Sequence, residues 1–230
     1  MTILIQYMQQ IISNRANDLD RNGYYFNSQY YLIRAWNLIK PQWLVLSLFT
    51  AVYLLITFIL FKQPQIGQII QMVISGPIGA GYYLSINRIM KGETIRFSNL
   101  LDGFKMFLQT MIVSMLSGLL VSIGFFILVI PGIFLSVAYI FVIPLVVFGK
   151  LDFWSALESS RVIITKRFWE AFAFLILIAG VNLLGVLAFG IGVFFTIPLS
   201  YAMILMAYDD IYGIGEKENN SIDNSFSHFR

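Results

Sequence analysis

The sequence predicts an all-α, polytopic membrane protein: six transmembrane helices arranged as three hairpin repeats, with interfacial amphipathic helices. Three observations lead there. Of the 230 residues, 58% are hydrophobic and only 12% charged, whereas about 25% of a soluble domain is charged. Lipid-facing side chains must be apolar, so a bilayer accommodates this excess where a water-soluble core of the same size cannot. Two stretches, 106–149 and 171–208, hold no charged residue. Each is roughly twice the 20 or so residues that one crossing needs, so each reads as a hairpin of two helices. The basic residues, finally, sit almost entirely on one side of the spans this pattern defines.

In chain order, the first 27 residues form an N-terminal segment, cytoplasmic or interfacial. Ile3, Leu4, Tyr7, Met8, Ile11 and Ile12 recur there at helical spacing. The segment lacks a basic n-region and a small-residue cleavage site, so no signal peptide is expected. The membrane domain runs over 28–213. Its first span is Trp43 to Phe61, interrupted by Lys62-Gln63-Pro64-Gln65, and its second runs from Ile66 to about Asn87. A polar stretch over 88–105 precedes the second hairpin, and another over 150–167 precedes the third. The uncharged runs offer two sets of turn signals. Ser122-Ile123-Gly124 and Gly190-Ile191-Gly192 divide them near the middle; Val129-Ile130-Pro131-Gly132 and Thr196-Ile197-Pro198 lie later. The glycine turns are preferred, because a turn at Pro198 leaves too little chain for a last span. Residues 214–230, rich in Asn and Ser, are expected to be a disordered cytoplasmic tail.

Orientation follows from the distribution of Lys and Arg. Of the 15 such residues, Lys62 alone falls on one side. The bias places both termini in the cytoplasm, with very short outer loops.

The chain divides into repeats of about 28–90, 97–150 and 153–213. Each opens with an amphipathic segment: YLIRAWNLIKPQW, FSNLLDGFKMF and FWSALESSRVIITKRFW. Such segments lie in the membrane interface, apolar face toward the acyl chains and cations near phosphates. The second helix of each unit carries a proline (Pro77, Pro131, Pro198). Gly76, Gly79, Ala80 and Gly81 flank the first and Gly132 follows the second, and small residues let helix backbones approach closely. The three second helices are therefore expected toward the middle of the bundle, with Gly79, Gly132 and Ala202 near one another.

Few residues point to chemistry. There is no cysteine, and His228 is the one histidine, so thiolate zinc sites, cysteine nucleophiles and histidine-ligated metal centres have no ligand set. No cofactor and no enzymatic activity are expected. The spans hold no ionisable residue near their centres, which argues against an ion-coupled pump. Two groups remain as candidate sites. Lys40, Arg96, Lys105, Arg161, Lys166 and Arg167 would form a cytoplasmic ring contacting anionic headgroups, or would serve only to set topology. Tyr82, Tyr139, Asn182 and Tyr201, on membrane helices, would line a cavity between the repeats, or would pack and hydrogen-bond locally; Gln68 and Gln71 invite the same two readings. Glu158 and Asp102 stand three residues before Arg161 and Lys105 and are expected to pair with them. Asp209-Asp210 reads as a solvated helix end rather than a metal site.

Three short motifs occur in order: KGExxxFSxLxxGF from Lys91 to Phe104, IPGI from Ile130, and ALESSRVIITKRFW from Ala156 to Trp169. In these the chain resembles a bacterial family of uncharacterised six-span integral membrane proteins. It is similar over roughly 28–213 to the membrane domain of glycerophosphodiester phosphodiesterases. The resemblance implies fold and topology but no activity; the phosphodiesterase catalytic domain has no counterpart in this sequence. The function expected is that of a non-enzymatic, lipid-associated or scaffold protein, with a passive carrier or channel for a small or lipid-like substrate as the alternative. Its partners would be membrane lipids, together with another membrane protein or a second copy of the chain, and no nucleic acid.

Overall fold

The computed structural model describes residues 26–62 and 64–214. The N-terminal amphipathic pattern, the tail and His228 lie outside the described residues. Every described element is helical. The α-helices are α1 (Ser28–Ile39), α2 (Trp43–Phe61), α3 (Pro64–Met90), α4 (Phe97–Leu100), α5 (Phe107–Ile127), α6 (Val129–Ala138), α7 (Val142–Val147), α8 (Phe153–Lys166), α9 (Phe168–Leu187) and α10 (Val193–Tyr212). Short 3₁₀ turns over Lys40–Gln42 and Leu101–Met106 lead into α2 and α5.

Among the described residues, five stretches are long and apolar enough to cross a membrane: Ser28–Phe61, Ile66–Met90, Phe97–Ile127, Val129–Val147 and Phe168–Leu187. The expected sixth span corresponds to α10. It is 20 residues long, but it ends on Asp209-Asp210-Ile211-Tyr212 and is buried along most of its second half.

The first helix of the first hairpin has the bounds its apolar pattern predicts, Trp43 to Phe61, while its second helix is longer than expected, starting at Pro64 and continuing to Met90. The second hairpin departs from expectation. Helix α5 continues through Ser122-Ile123-Gly124 to Ile127, and the chain reverses at Leu128, whose backbone is extended (φ −158°, ψ 152°). Gly124 is a contact rather than a turn: a Cβ there would stand 3.0 Å from Cα of Gly132 across the hairpin. Pro131 falls in the first turn of α6, where its missing N–H removes a donor that would have no helical partner anyway. The third hairpin does turn at its glycines, with Phe189 and Gly190 both at positive φ (55° and 75°).

The second arm of that middle hairpin is broken into α6 and α7 by Pro144. Proline carries no N–H and crowds the carbonyl four residues earlier, here that of Ile140. Around the break the N–H of Val142 bonds to Tyr139, three residues back. This leaves the Ala138 carbonyl and the Phe141 N–H without helical partners. Ser160 of α8 serves both: its hydroxyl donates to the Ala138 oxygen at 2.6 Å and accepts from the Phe141 N–H at 3.3 Å.

Each segment before a hairpin packs on another hairpin's second helix: α1 on α10, α4 with its 3₁₀ turn on α3, and α8 on α6 and α7. The middle segment is not the regular amphipathic helix its spacing predicts, since only four residues are α-helical before the 3₁₀ turn begins. Close approach to α3 accounts for this. A Cβ on Gly103 would lie 2.0 Å from the Pro77 carbonyl oxygen, and one on Gly81 would lie 1.9 Å from that of Leu100. No side chain fits between these backbones.

The three second helices meet only in part as expected. Gly79 of α3 lies against Ile143 of α7 and Tyr201 of α10, while Phe141 and Phe148 lie beside Tyr208. Gly132 instead packs on Phe125 of its own hairpin, away from Gly79. The open ends of the hairpins are tied together. Gln42 bonds to the 91–96 loop, Arg88 to Asp102, and α1 to the end of α10. Those ends carry nearly all the charged side chains described.

Candidate functional site

The six basic residues singled out by sequence are distributed over the three segments at these open ends. Lys40, Arg96, Lys105, Lys166 and Arg167 are exposed, and Arg161 is half-exposed. They differ in what holds them. Lys105 sits 2.7 Å from Asp102, Arg161 2.6 Å from Glu158, and Arg167 3.1 Å from Glu170. All three pairs have i,i+3 spacing on a single segment. The Lys105 ammonium hydrogen-bonded to Asp102, with Arg88 also near, holds that carboxyl below its usual pKa. Arg161 does the same for Glu158, and its own pKa is raised in return. These pairs are exposed on at least one side, so each contributes at most about 1 kcal/mol.

Exposed aromatic side chains accompany these cations. Trp36 stands one helical turn before Lys40, Phe104 is next to Lys105, and Trp169 is two residues beyond Arg167; Trp154 is the second residue of α8. Their exposures of 44%, 39%, 74% and 65% are high for rings that no charged partner requires to be wet. Exposed rings close in sequence to cations on three segments match the headgroup zone of a bilayer, where amphipathic rings and snorkelling cations are both favoured.

Two charged contacts near this surface escaped sequence reasoning. Arg34 of α1 pairs with Asp209 at 2.9 Å, and the Tyr31 hydroxyl donates to Asp210 at 2.6 Å. Asp209 also accepts from the N–H of Ile214. The double aspartate, with Asp210 exposed at the helix end as expected, also forms a clasp between the two ends of the described chain. Arg88 reaches Asp102 at 2.8 Å. No local pattern marks the first contact, since its partners lie 175 residues apart.

The four residues expected to line an inter-repeat cavity go to three separate places. Tyr82 and Tyr201 stack face to face with centroids 4.5 Å apart, and Tyr82 shares a hydrogen bond with Thr50 at 2.6 Å. Asn182 donates to Ser200 of the neighbouring helix at 2.7 Å and to the Ile178 carbonyl. Tyr139 lies at the break between α6 and α7. A half-open pocket of about 120 Å³ lies elsewhere, at the closed end of the first hairpin, lined by Thr57, Leu60, Phe61, Gly67, Gln68 and Gln71. Gln71 is held by the hydroxyls of Tyr53 and Thr57. Among the described residues no group of three His, Cys, Asp or Glu side chains could hold a metal ion.

Compared with known proteins, the chain matches no protein-family model, no curated protein and no solved structure.

Proposed function

We propose that the chain is an integral protein of a bacterial inner membrane. It crosses the bilayer six times as three hairpin repeats, and it associates with anionic lipid through a basic, aromatic surface on its cytoplasmic side. The observation that carries this reading is the pairing of an exposed ring with a cation on each of the three segments at the open ends of the hairpins. The sixth crossing is α10, whose 20 residues extend about 30 Å. The repeat is supported by each segment's seat on a different hairpin's second helix. It is supported too by the matched small residue in that seat: Ala35, Gly103 and Ser160, each three residues after a leucine and each buried. The motif resemblance to six-span bacterial membrane proteins belongs to the same proposal.

A non-enzymatic role fits better than a carrier. The stacked Tyr82 and Tyr201 fill the contact between α3 and α10 that a path between the repeats would use. Asn182, the most central strongly polar side chain, has its amide engaged within its hairpin.

Native mass spectrometry of the protein released from nanodiscs holding equal anionic and zwitterionic phospholipid tests the reading. Preferential retention of the anionic lipid is expected. Retention in proportion to the bilayer would contradict it.

A further inference from the structure

Among the described residues, Arg34, Arg88, Lys105, Arg161 and Arg167 are paired with carboxylates and have much of their charge answered within the protein. Lys40 and Arg96 do not. Among the described residues neither has an acidic side chain within ion-pair distance. Both are exposed, and the fold brings their segments together. Gln42 is the fastener: its amide nitrogen donates to the Glu93 carbonyl at 2.8 Å, and its amide oxygen accepts from the Ile95 N–H at 2.6 Å. The 91–96 loop is thereby fixed to the chain entering α2. Lys40 is two residues before that joint, and Arg96 directly follows Ile95, which is buried.

Apolar surface adjoins the same joint. Trp36 is one turn before Lys40 on the same face of the chain, and Trp43 opens α2 immediately after Gln42. They are 44% and 41% exposed, and Trp43 lies against Phe195 with centroids 5.0 Å apart. We infer that the junction of Lys40, Gln42 and Arg96, flanked by Trp36 and Trp43, is a binding site for one phosphate-bearing anionic lipid. The two free cations receive the phosphate, and the indoles cover the glycerol and upper acyl region. Cations answered by a carboxylate gain less from a second anion, so headgroup selectivity is favoured where two cations without a carboxylate partner are brought to one joint. Glu93, on the same loop and exposed, opposes an anion there and sets an upper bound on affinity.

This site rests on the lipid-associated reading above, and its test separates the two. The full chain in nanodiscs of mixed phosphatidylglycerol and phosphatidylethanolamine is compared with a Lys40→Gln/Arg96→Gln variant and a Lys105→Gln/Arg161→Gln variant. Retained phosphatidylglycerol is counted by native mass spectrometry, with helicity and elution position confirming that each variant folds. The first variant should lose roughly tenfold or more in anionic preference, at about 1 kcal/mol per cation near the surface. The second should lose clearly less than the first, and Glu93→Gln should raise retention. Equal retention by the Lys40→Gln/Arg96→Gln variant, or an equal drop in both variants, would overturn the site while leaving the broader function standing. No anionic preference in the unchanged protein would overturn both. Displacement of the lipid by millimolar inorganic phosphate would show that the cations alone read the ligand, and would remove the role assigned to Trp36 and Trp43.

Discussion

Replacing Ser160 by alanine removes a single hydroxyl, yet it should disturb the membrane domain at its most exacting joint. Ser160 is fully buried. Its hydroxyl serves the two backbone groups stranded where Pro144 breaks the second arm of the middle hairpin. A buried backbone group left without a partner costs about 1–3 kcal/mol. Side-chain hydrogen bonds inside membrane proteins average about 0.6 and reach about 1.7 kcal/mol. Two bonds lost together, one short at 2.6 Å, place Ser160→Ala at about 1–3 kcal/mol, or roughly a 5- to 150-fold shift in the folding equilibrium. The assay is reversible unfolding by SDS in mixed micelles, followed by circular dichroism. A thermodynamic cycle with Pro144→Ala sharpens the result. Alanine restores an N–H for the Ile140 carbonyl, so the helix can run through and re-pair Ala138 and Phe141 internally. In that background the cost of Ser160→Ala should fall below about 0.5 kcal/mol. A cost under about 0.5 kcal/mol in the natural sequence, or the same cost in both backgrounds, would refute the argument that Ser160 exists to serve the break.

Two further substitutions probe the packing and the charged surface. Gly103→Ala would place a methyl group 2.0 Å from the Pro77 oxygen and should destabilise by about 2 kcal/mol or more. Gly118→Ala, with nothing within 4 Å, should be neutral or slightly stabilising; equal effects measured in the same micelles would show that the close approach does not matter. Asp102 gives a pH test. Its pKa is lowered in the folded protein, first by the hydrogen bond from Lys105. Its contribution is therefore complete above the unfolded value of about 3.9 and disappears as pH falls through the lowered folded value. Asp102→Asn should cost up to about 1 kcal/mol at neutral pH and flatten the stability loss that the unchanged protein shows below about pH 4. An unchanged acid profile in Asp102→Asn would mean that the carboxylate contributes nothing.

Much of the architecture was legible because the bilayer imposes it. The limits of α2 and the two uncharged hairpins follow from the positions of charges, and the pairs Asp102–Lys105 and Glu158–Arg161 follow from helical spacing. The turn at Leu128 was not legible. Leucine carries no turn signal, while the nearby Gly124 and Gly132 that look like turn residues are used for close packing between the two helices. The 3₁₀ turn around Gly103 was hidden in the same way, because its conformation is set by α3, passing 20 residues earlier in the chain. Pro144 marks the break, but membrane helices tolerate proline, so its presence alone does not locate one. The clasp of Arg34 and Tyr31 on Asp209 and Asp210 joins the two ends of the described chain, and no local pattern reports such a contact. At the candidate surface, sequence located the cations but did not separate those held by carboxylates from Lys40 and Arg96, which are left free.

All four tryptophans of the chain, Trp36, Trp43, Trp154 and Trp169, are exposed and belong to the segments assigned to the cytoplasmic headgroup zone. Their fluorescence therefore reports directly on that assignment. The protein should be reconstituted into vesicles containing lipids brominated at shallow or deep acyl positions, on either phosphatidylglycerol or phosphatidylcholine. Shallow bromines should quench more than deep ones, and shallow bromines on phosphatidylglycerol should quench most. Strongest quenching by the deep bromines, or equal quenching by the two headgroup classes, would contradict a lipid-binding surface at the open ends of the hairpins.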